Sequence, residues 1–318
     1  MLLEKIRSSS EVRQLYTFAP FPNHAYSNEL LERIIQEQQD FFAKFMKPGM
    51  KILDAGCGTG NYVAAFAKTF PQTQFMGVDF TEASLEKAKA GFGSYPNLSF
   101  AWHDLMQLYP TPEPFDVITS IGVIHHLENQ VTGLKNLAAI LKDDGVLILL
   151  LYGLYGRFEL ELARHVVLNL TSGLNNWDER FEVLYKIKED RRLTHFYRNK
   201  YWFLPEWLKK GARYILYGST KGQYKGAPSA EADSFFHPIV NVYTINSIVS
   251  LLAEAGLEVI EFNEKHPGSF HVPPKLFDDP QLETLFRKLG AREQWVIAES
   301  LLKPNNYYFA ARKMRSGL

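Results

Sequence analysis

Three alternating glycines, Gly56, Gly58 and Gly60, follow directly on Lys51-Ile52-Leu53-Asp54, an apolar run that ends on an acidic residue. Glycine lets the chain turn tightly and lets a ligand approach the main chain without meeting a Cβ atom. Nineteen residues beyond Gly60 comes Asp79, closing a second β-rich run that starts at Gln74. A carboxylate there can accept hydrogen bonds from two neighbouring ribose hydroxyls. A glycine loop alone is a weak signal. Coupled to an acidic residue at the end of the next strand, it points to a cofactor that contains a nucleoside.

The spacing narrows the choice. The dinucleotide fingerprint is G-x-G-x-x-G, with a pyrophosphate on the following helix N-terminus. This loop reads G-x-G-x-G, is preceded by Asp54, and holds no basic residue. A carboxylate repels a pyrophosphate but attracts an ammonium or a sulfonium. The expected ligand is therefore cationic, as S-adenosylmethionine is.

The elements that must position these residues are legible in outline. Residues 28–46 carry apolar side chains at helical spacing, and Pro48-Gly49 ends that helix. Strands are expected at Lys51–Asp54, Gln74–Asp79, Leu98–Trp102, Phe115–Ser120 and Val146–Leu151, with helices near 61–69, 81–90 and 130–141 between them. Asp143-Asp144-Gly145 reads as a turn before the fifth strand. The alternation stops at Gly153 and resumes near Tyr243, with a helix over 244–255, a strand over Leu257–Phe262 and a last strand over Tyr307–Ala311. Almost continuously apolar strands separated by helices imply a mainly parallel sheet covered on both faces. The chain thus divides into an N-terminal helical segment (1–47), a core (48–153), a helical insertion (154–236) and the rest of the core (237–318), which carries a second helical insertion at about 264–304. In the 154–236 insertion 16 of 83 residues are aromatic, against 14% of the whole chain. Such enrichment suits a lid over an organic ligand, and equally the core of a small helical subdomain.

At this point the sequence resembles the class I S-adenosylmethionine-dependent methyltransferases. The likeness covers residues 48–152 and, more loosely, 238–312. Asp54-Ala55-Gly56-Cys57-Gly58-Thr59-Gly60 is similar to that family's first motif and Gly77-Val78-Asp79-Phe80 to its second. Phe115-Asp116-Val117-Ile118 matches its fourth strand, Val123-Ile124-His125-His126-Leu127 the segment after it, and Leu141–Leu147 the approach to strand five. The resemblance implies an α/β, doubly wound, mainly parallel seven-stranded sheet with helices on both faces, here with an aromatic-rich helical insertion. It implies S-adenosylmethionine as cofactor and S-adenosylhomocysteine as product. By the same resemblance Gly56 and Gly58 line the methionine portion, Gly60 belongs to the same cofactor-binding loop, Asp54 orients the methionine amino group directly or through water, and Asp79 holds the ribose. Phe80 packs beside the adenine, Asp104 accepts from the adenine amino group or caps its own turn, and main chain at Ile121 and Gly122 meets the methionine tail.

Methyl transfer from a sulfonium needs alignment, exclusion of water and, for a protonated acceptor, a base. Candidates for the base are His125, His126, His237 and the acidic pair Glu231 and Asp233. Tyr16 and Tyr26 in the N-terminal segment, and Asp233, Phe236 and Tyr243 around the return of the insertion, are candidate substrate contacts. The N-terminal aromatics fold over the cofactor or belong to a homodimer contact. No metal is expected, because the single cysteine, Cys57, cannot build a Cys/His cluster. That cysteine also excludes an intrachain disulfide framework and fits a reducing cytoplasm. Thirty-five basic against 35 acidic residues give no net charge, so no nucleic acid is expected as partner, although Arg191–Phe203 mixes basic and aromatic residues. The longest apolar run falls well short of the roughly 20 residues that cross a bilayer, so no membrane partner is expected. The first expectation is methylation of an oxygen or nitrogen on a small organic molecule. The alternatives are methylation of a peptide or protein side chain or C-terminus, and a regulatory protein that binds the cofactor without turnover.

Overall fold

The computed structural model describes residues 9–22, 28–189, 228–264, 266 and 268–315. Seven strands, β1 (Lys51–Ala55), β2 (Gln74–Asp79), β3 (Leu98–Trp102), β4 (Phe115–Ile121), β5 (Leu141–Tyr152), β6 (Leu257–Phe262) and β7 (Asn306–Lys313), form one sheet in the order β3-β2-β1-β4-β5-β7-β6. β1 to β5 pair in parallel, while β7 runs antiparallel between β5 and β6. The helices are α1 (Ser9–Phe18), α2 (Asn28–Phe42), α3 (Asn61–Thr69), α4 (Glu82–Phe92), α5 (Gln130–Ala139), α6 (Leu154–Leu170), α7 (Trp177–Glu189), α8 (Pro228–Glu231), α9 (Ile245–Glu254), α10 (Pro280–Arg287) and α11 (Ala291–Leu302). This is the mainly parallel, seven-stranded α/β architecture expected from the alternating pattern.

The uninterrupted apolar character of the strands has a simple cause: both faces are covered. Successive side chains on a strand point to opposite faces, so each strand feeds two cores. Leu53, Ile118, Leu147, Leu149 and Phe309 pack with Leu134 and Leu137 of α5 and with Ile248 and Leu252 of α9. Their neighbours Ile52, Val117, Ile148, Leu150 and Tyr308 pack with Phe41 and Phe42 of α2 and with Val63 and Phe66 of α3. α9 starts at a capping box in which Thr244 Oγ1 accepts from Ser247 N and Ser247 Oγ accepts from Thr244 N.

One expected turn is absent. Asp143-Asp144-Gly145 lies inside β5, which begins at Leu141. Leu141 pairs with Phe115 and Val146 with Val117, so β5 uses five residues where β4 uses two. The polar residues are an excursion within the strand, as a bulge allows. The second insertion is helical as α10 and α11, with Gly290 as the N-cap of α11.

The chain divides into two compact units, Met1–Arg157 with Pro238–Leu318, and Phe158–His237. No helix among the described residues is long and apolar enough to cross a membrane. In the first unit the chain lays down β1, β2 and β3 outward in one direction, then returns to the other side of β1 for β4. That reversal opens a crevice beyond the carboxyl ends of β1 and β4, where open α/β sheets bind ligands.

Candidate cofactor-binding and active site

Asp54 lies near the carboxyl end of β1 and is paired in register with Thr119 of β4. Thr119 Oγ1 donates to Asp54 Oδ1 at 2.7 Å. With only 4% of Asp54 exposed, loss of solvent pushes its carboxyl up to about 7; the Thr119 bond opposes this and the charge of Asp79 adds to it.

The glycine loop is tied to β2. Gly56 N and Cys57 N both donate to Val78 O, at 2.8 and 2.9 Å. Gly58 N donates to Asp79 Oδ2 at 2.9 Å and Thr81 N to Asp79 Oδ1 at 2.8 Å. Both carboxylate oxygens are thus oriented by main chain, and each keeps a second acceptor site. Burial raises the Asp79 carboxyl and these bonds oppose the rise.

The loop glycines also make room for the protein itself. Gly58 has φ +54°, and a Cβ there would stand 2.4 Å from Phe21 O. Phe21 O accepts from Thr59 N at 3.3 Å, and Pro22 O accepts from Thr59 Oγ1 at 2.8 Å. At Gly56, with φ +84°, a Cβ would meet the Val123 side chain at 2.5 Å. Part of the space expected for a ligand is taken by the segment before α2 and the turn after β4. Gly60 is the N-cap residue of α3, and Cys57 is buried within the loop.

Phe80 follows Asp79 and lies under Arg13 of α1, whose Cζ is 5.5 Å from the ring centroid and 5.7 Å from that of Trp102. Trp102 Nε1 donates to Phe80 O at 2.9 Å. Arg13, Thr17, Phe80, Glu82, Ala83 and Glu86 line a cavity of about 240 Å³. Asp104 caps its own turn: Oδ1 accepts from Met106 N at 2.9 Å, and its carbonyl accepts from Gln107 N at 2.9 Å. Ile121 ends β4 on the face that carries Asp54. Gly122 N donates to Leu150 O at 3.3 Å, and no atom lies within 4 Å of where a Cβ would stand.

After β4 comes a single 3₁₀ turn, Ile124–His126. His125 is fully buried, its ring centroid 3.7 Å from that of Tyr152, which Arg157 overlies at 3.6 Å. His126 Nδ1 lies 2.7 Å from Ile239 O. Because a carbonyl only accepts, Nδ1 carries the hydrogen, and in the neutral ring the lone pair is on Nε2. Asn241 donates through N and Nδ2 to His125 O, and Tyr243 N donates to Tyr152 O. Residues 239–243 therefore run across the ends of β4 and β5. Tyr243 is buried, which raises its hydroxyl well above the usual phenol range, and that hydroxyl has no hydrogen-bond partner among the described residues.

The second unit holds other candidates. His237 is buried and its carbonyl accepts from Arg164 Nη1 at 3.1 Å. Asp233 is buried on the π-helical turn Ala232–Phe236. Phe236 packs edge-on against Phe181 and Trp177, with centroids 5.1 and 6.0 Å away. Tyr185 Oη donates to Glu231 at 2.7 Å, which pushes the phenol up to about 12 together with burial as the larger cause. In the first unit Tyr16 is half-buried on α1. Tyr26 and the run Arg191–Phe203 lie outside the described residues. The structure thus brings Asp54, the glycine loop, Asp79, Phe80, Ile121 and Gly122 together around the crevice. Thr119, Arg13 and Tyr152 come to the site through strand register and tertiary packing that no local spacing encodes.

Residues 53–147, the stretch from β1 into β5, match the family model described as a methyltransferase domain. That stretch carries a methyltransferase domain. The chain is 28% identical over 180 residues to the malonyl-[acyl-carrier protein] O-methyltransferase of Halalkalibacterium halodurans, covering 51% of this chain and 66% of that protein. It is 36% identical over 101 residues to the trans-aconitate 2-methyltransferase of Deinococcus radiodurans, covering 32% of this chain and 37% of that one. Among solved structures, PKMT2 from Rickettsia typhi in complex with AdoHcy superposes with a TM-score of 0.60 at 16% identity. That likeness, over 92% of this chain and 54% of PKMT2, is one of fold. The chain spans less than two thirds of the length of each of these proteins.

Proposed function

We propose that this methyltransferase moves the methyl group of S-adenosylmethionine to an oxygen or nitrogen of a small organic acceptor. The observation that carries the reading is the pairing of a desolvated carboxylate, Asp54, with a main-chain loop free of basic residues. Such a site costs too much for a phosphate and favours a cation. The donor set fits the cofactor: Asp54 for the ammonium, and the spare acceptor sites on Asp79 Oδ1 and Oδ2 for two ribose hydroxyls. Phe80 gives a flat apolar wall for the adenine, Asp104 an acceptor for its amino group, and Ile121 and Gly122 open main chain for the methionine tail. When bound, the cofactor supplies an activated methyl with its leaving group built in.

What the chain adds is alignment and dryness. Asp54 and Asp79 fix two ends of one ligand from adjacent strands, which removes the freedom that an in-line displacement must otherwise surrender. A hydroxyl or ammonium acceptor has to lose a proton. His126 is the ring we assign to that step, since its Nδ1 hydrogen is held by Ile239 and its neighbour His125 is wholly buried. The relatives named for malonyl and trans-aconitate methylation support an organic acid as acceptor.

Calorimetry against S-adenosylmethionine and NAD tests the cofactor, with binding of the former and no heat from the latter expected. Transfer of labelled methyl to a panel of small carboxylic acids, phenols, amines and peptides then tests the acceptor. A preference for NAD would overturn the assignment, and transfer to peptides alone would replace the acceptor class.

A further inference from the structure

A carboxylate buried without a cation beside it resists ionisation, yet an ammonium ligand needs it charged. Among the described residues, the titratable groups coupled electrostatically to Asp54 are Asp79 of β2, Cys57 of the glycine loop, Tyr62 of α3 and Tyr308 of β7. None brings a positive charge, and Asp79 opposes ionisation. Among the described residues one side chain donates to the carboxylate, Thr119 Oγ1. The donor is 1% exposed and stands directly across the β1–β4 ladder, so register alone delivers it. Its hydroxyl has a second acceptor in reach, Leu53 O at 3.4 Å, against 2.7 Å for Asp54 Oδ1. The shorter bond goes to the carboxylate, as expected where the acceptor is ionic.

We propose that Thr119 is a positioning residue for cofactor binding: its hydroxyl holds Asp54 ionised and fixes Oδ1, so that Oδ2 is left to meet the cofactor's ammonium. When Asp54 is protonated the hydroxyl swings to Leu53 O and that hold is released. The assignment rests on the cofactor reading above. It makes cofactor affinity rise with pH as Asp54 ionises, and it makes the midpoint of that rise a property of Thr119.

Titrating S-adenosylhomocysteine into the full chain between about pH 6 and pH 9, by calorimetry, separates the possibilities. The ligand's own titration is common to all variants and cancels. Thr119→Val should bind at least about tenfold more weakly at pH 7 through loss of a charged hydrogen bond. The gap should narrow toward pH 9, where Asp54 ionises unaided. Thr119→Ser should restore both the affinity and the profile. Should the valine variant fail to fold, Thr119→Ala takes its place. A loss that is equal at every pH, or no loss, would assign Thr119 to packing and overturn the proposal. Absence of binding by the native chain at any pH would instead remove the cofactor reading. In that event a carbon-13 titration of the Asp54 carboxyl in native and Thr119→Val protein still decides whether the hydroxyl lowers its midpoint.

Discussion

At the scale of single residues, the site is two carboxylates held differently. Asp54 is stripped of water and held by one hydroxyl, whereas Asp79 is fed by two main-chain N–H groups. Because the folded protein raises the Asp54 carboxyl to about 7, above its unfolded value, this group contributes stability that is complete in acid and lost as pH rises through 7. Asp54→Asn should therefore melt higher than the native chain at pH 8, with the advantage fading toward pH 5, while losing affinity for the cofactor. Thermal melts at the two pH values check it. Asp79→Ala should weaken cofactor binding by about 1–3 kcal/mol, the range for a lost charged hydrogen bond, read by calorimetry. Both aspartates were legible in the sequence because each closes an apolar run next to a glycine loop or turn. Thr119 was not, although it sits in an equally apolar run. Its significance comes from lying opposite Asp54, and strand register is decided by packing between segments 65 residues apart.

Among the elements, the strands could be read because burial on both faces demands unbroken apolar runs, and β2, β3 and β6 fall where those runs predict. The bulge in β5 could not. Asp143-Asp144-Gly145 has turn chemistry, and only the pairing of Leu141 with Phe115 draws it into the strand. The N-terminal segment is a second case. Its aromatic residues suggested a cover or a dimer contact; the contacts that help seat it include a guanidinium over Phe80 and Trp102 and two carbonyls on Thr59. Arg13→Ala removes the former. We expect it to lower the protection of α1 by about 1 kcal/mol, the worth of an exposed cation–π contact. Hydrogen exchange on residues 9–18 measures this, and protection equal to that of the native chain would mean that the arginine merely rests there.

For the molecule as a whole, equal numbers of acidic and basic residues leave no net charge to draw polyanions. Labelled duplex DNA should show no anisotropy change with micromolar protein at 100 mM salt; a salt-sensitive rise would revive the basic aromatic run as a nucleic-acid surface. The placement of β7 carries its own consequence. Of the seven strands of this sheet, β7 is made after the two that flank it, so β6 has no partner and the outer rim of β5 stays bare until residues 306–313 leave the ribosome. A nascent chain that pauses before Asn306 displays Val146–Leu151 along an open edge, an adhesive template for other chains. How long that edge stays uncovered depends on how quickly residues 306–313 follow.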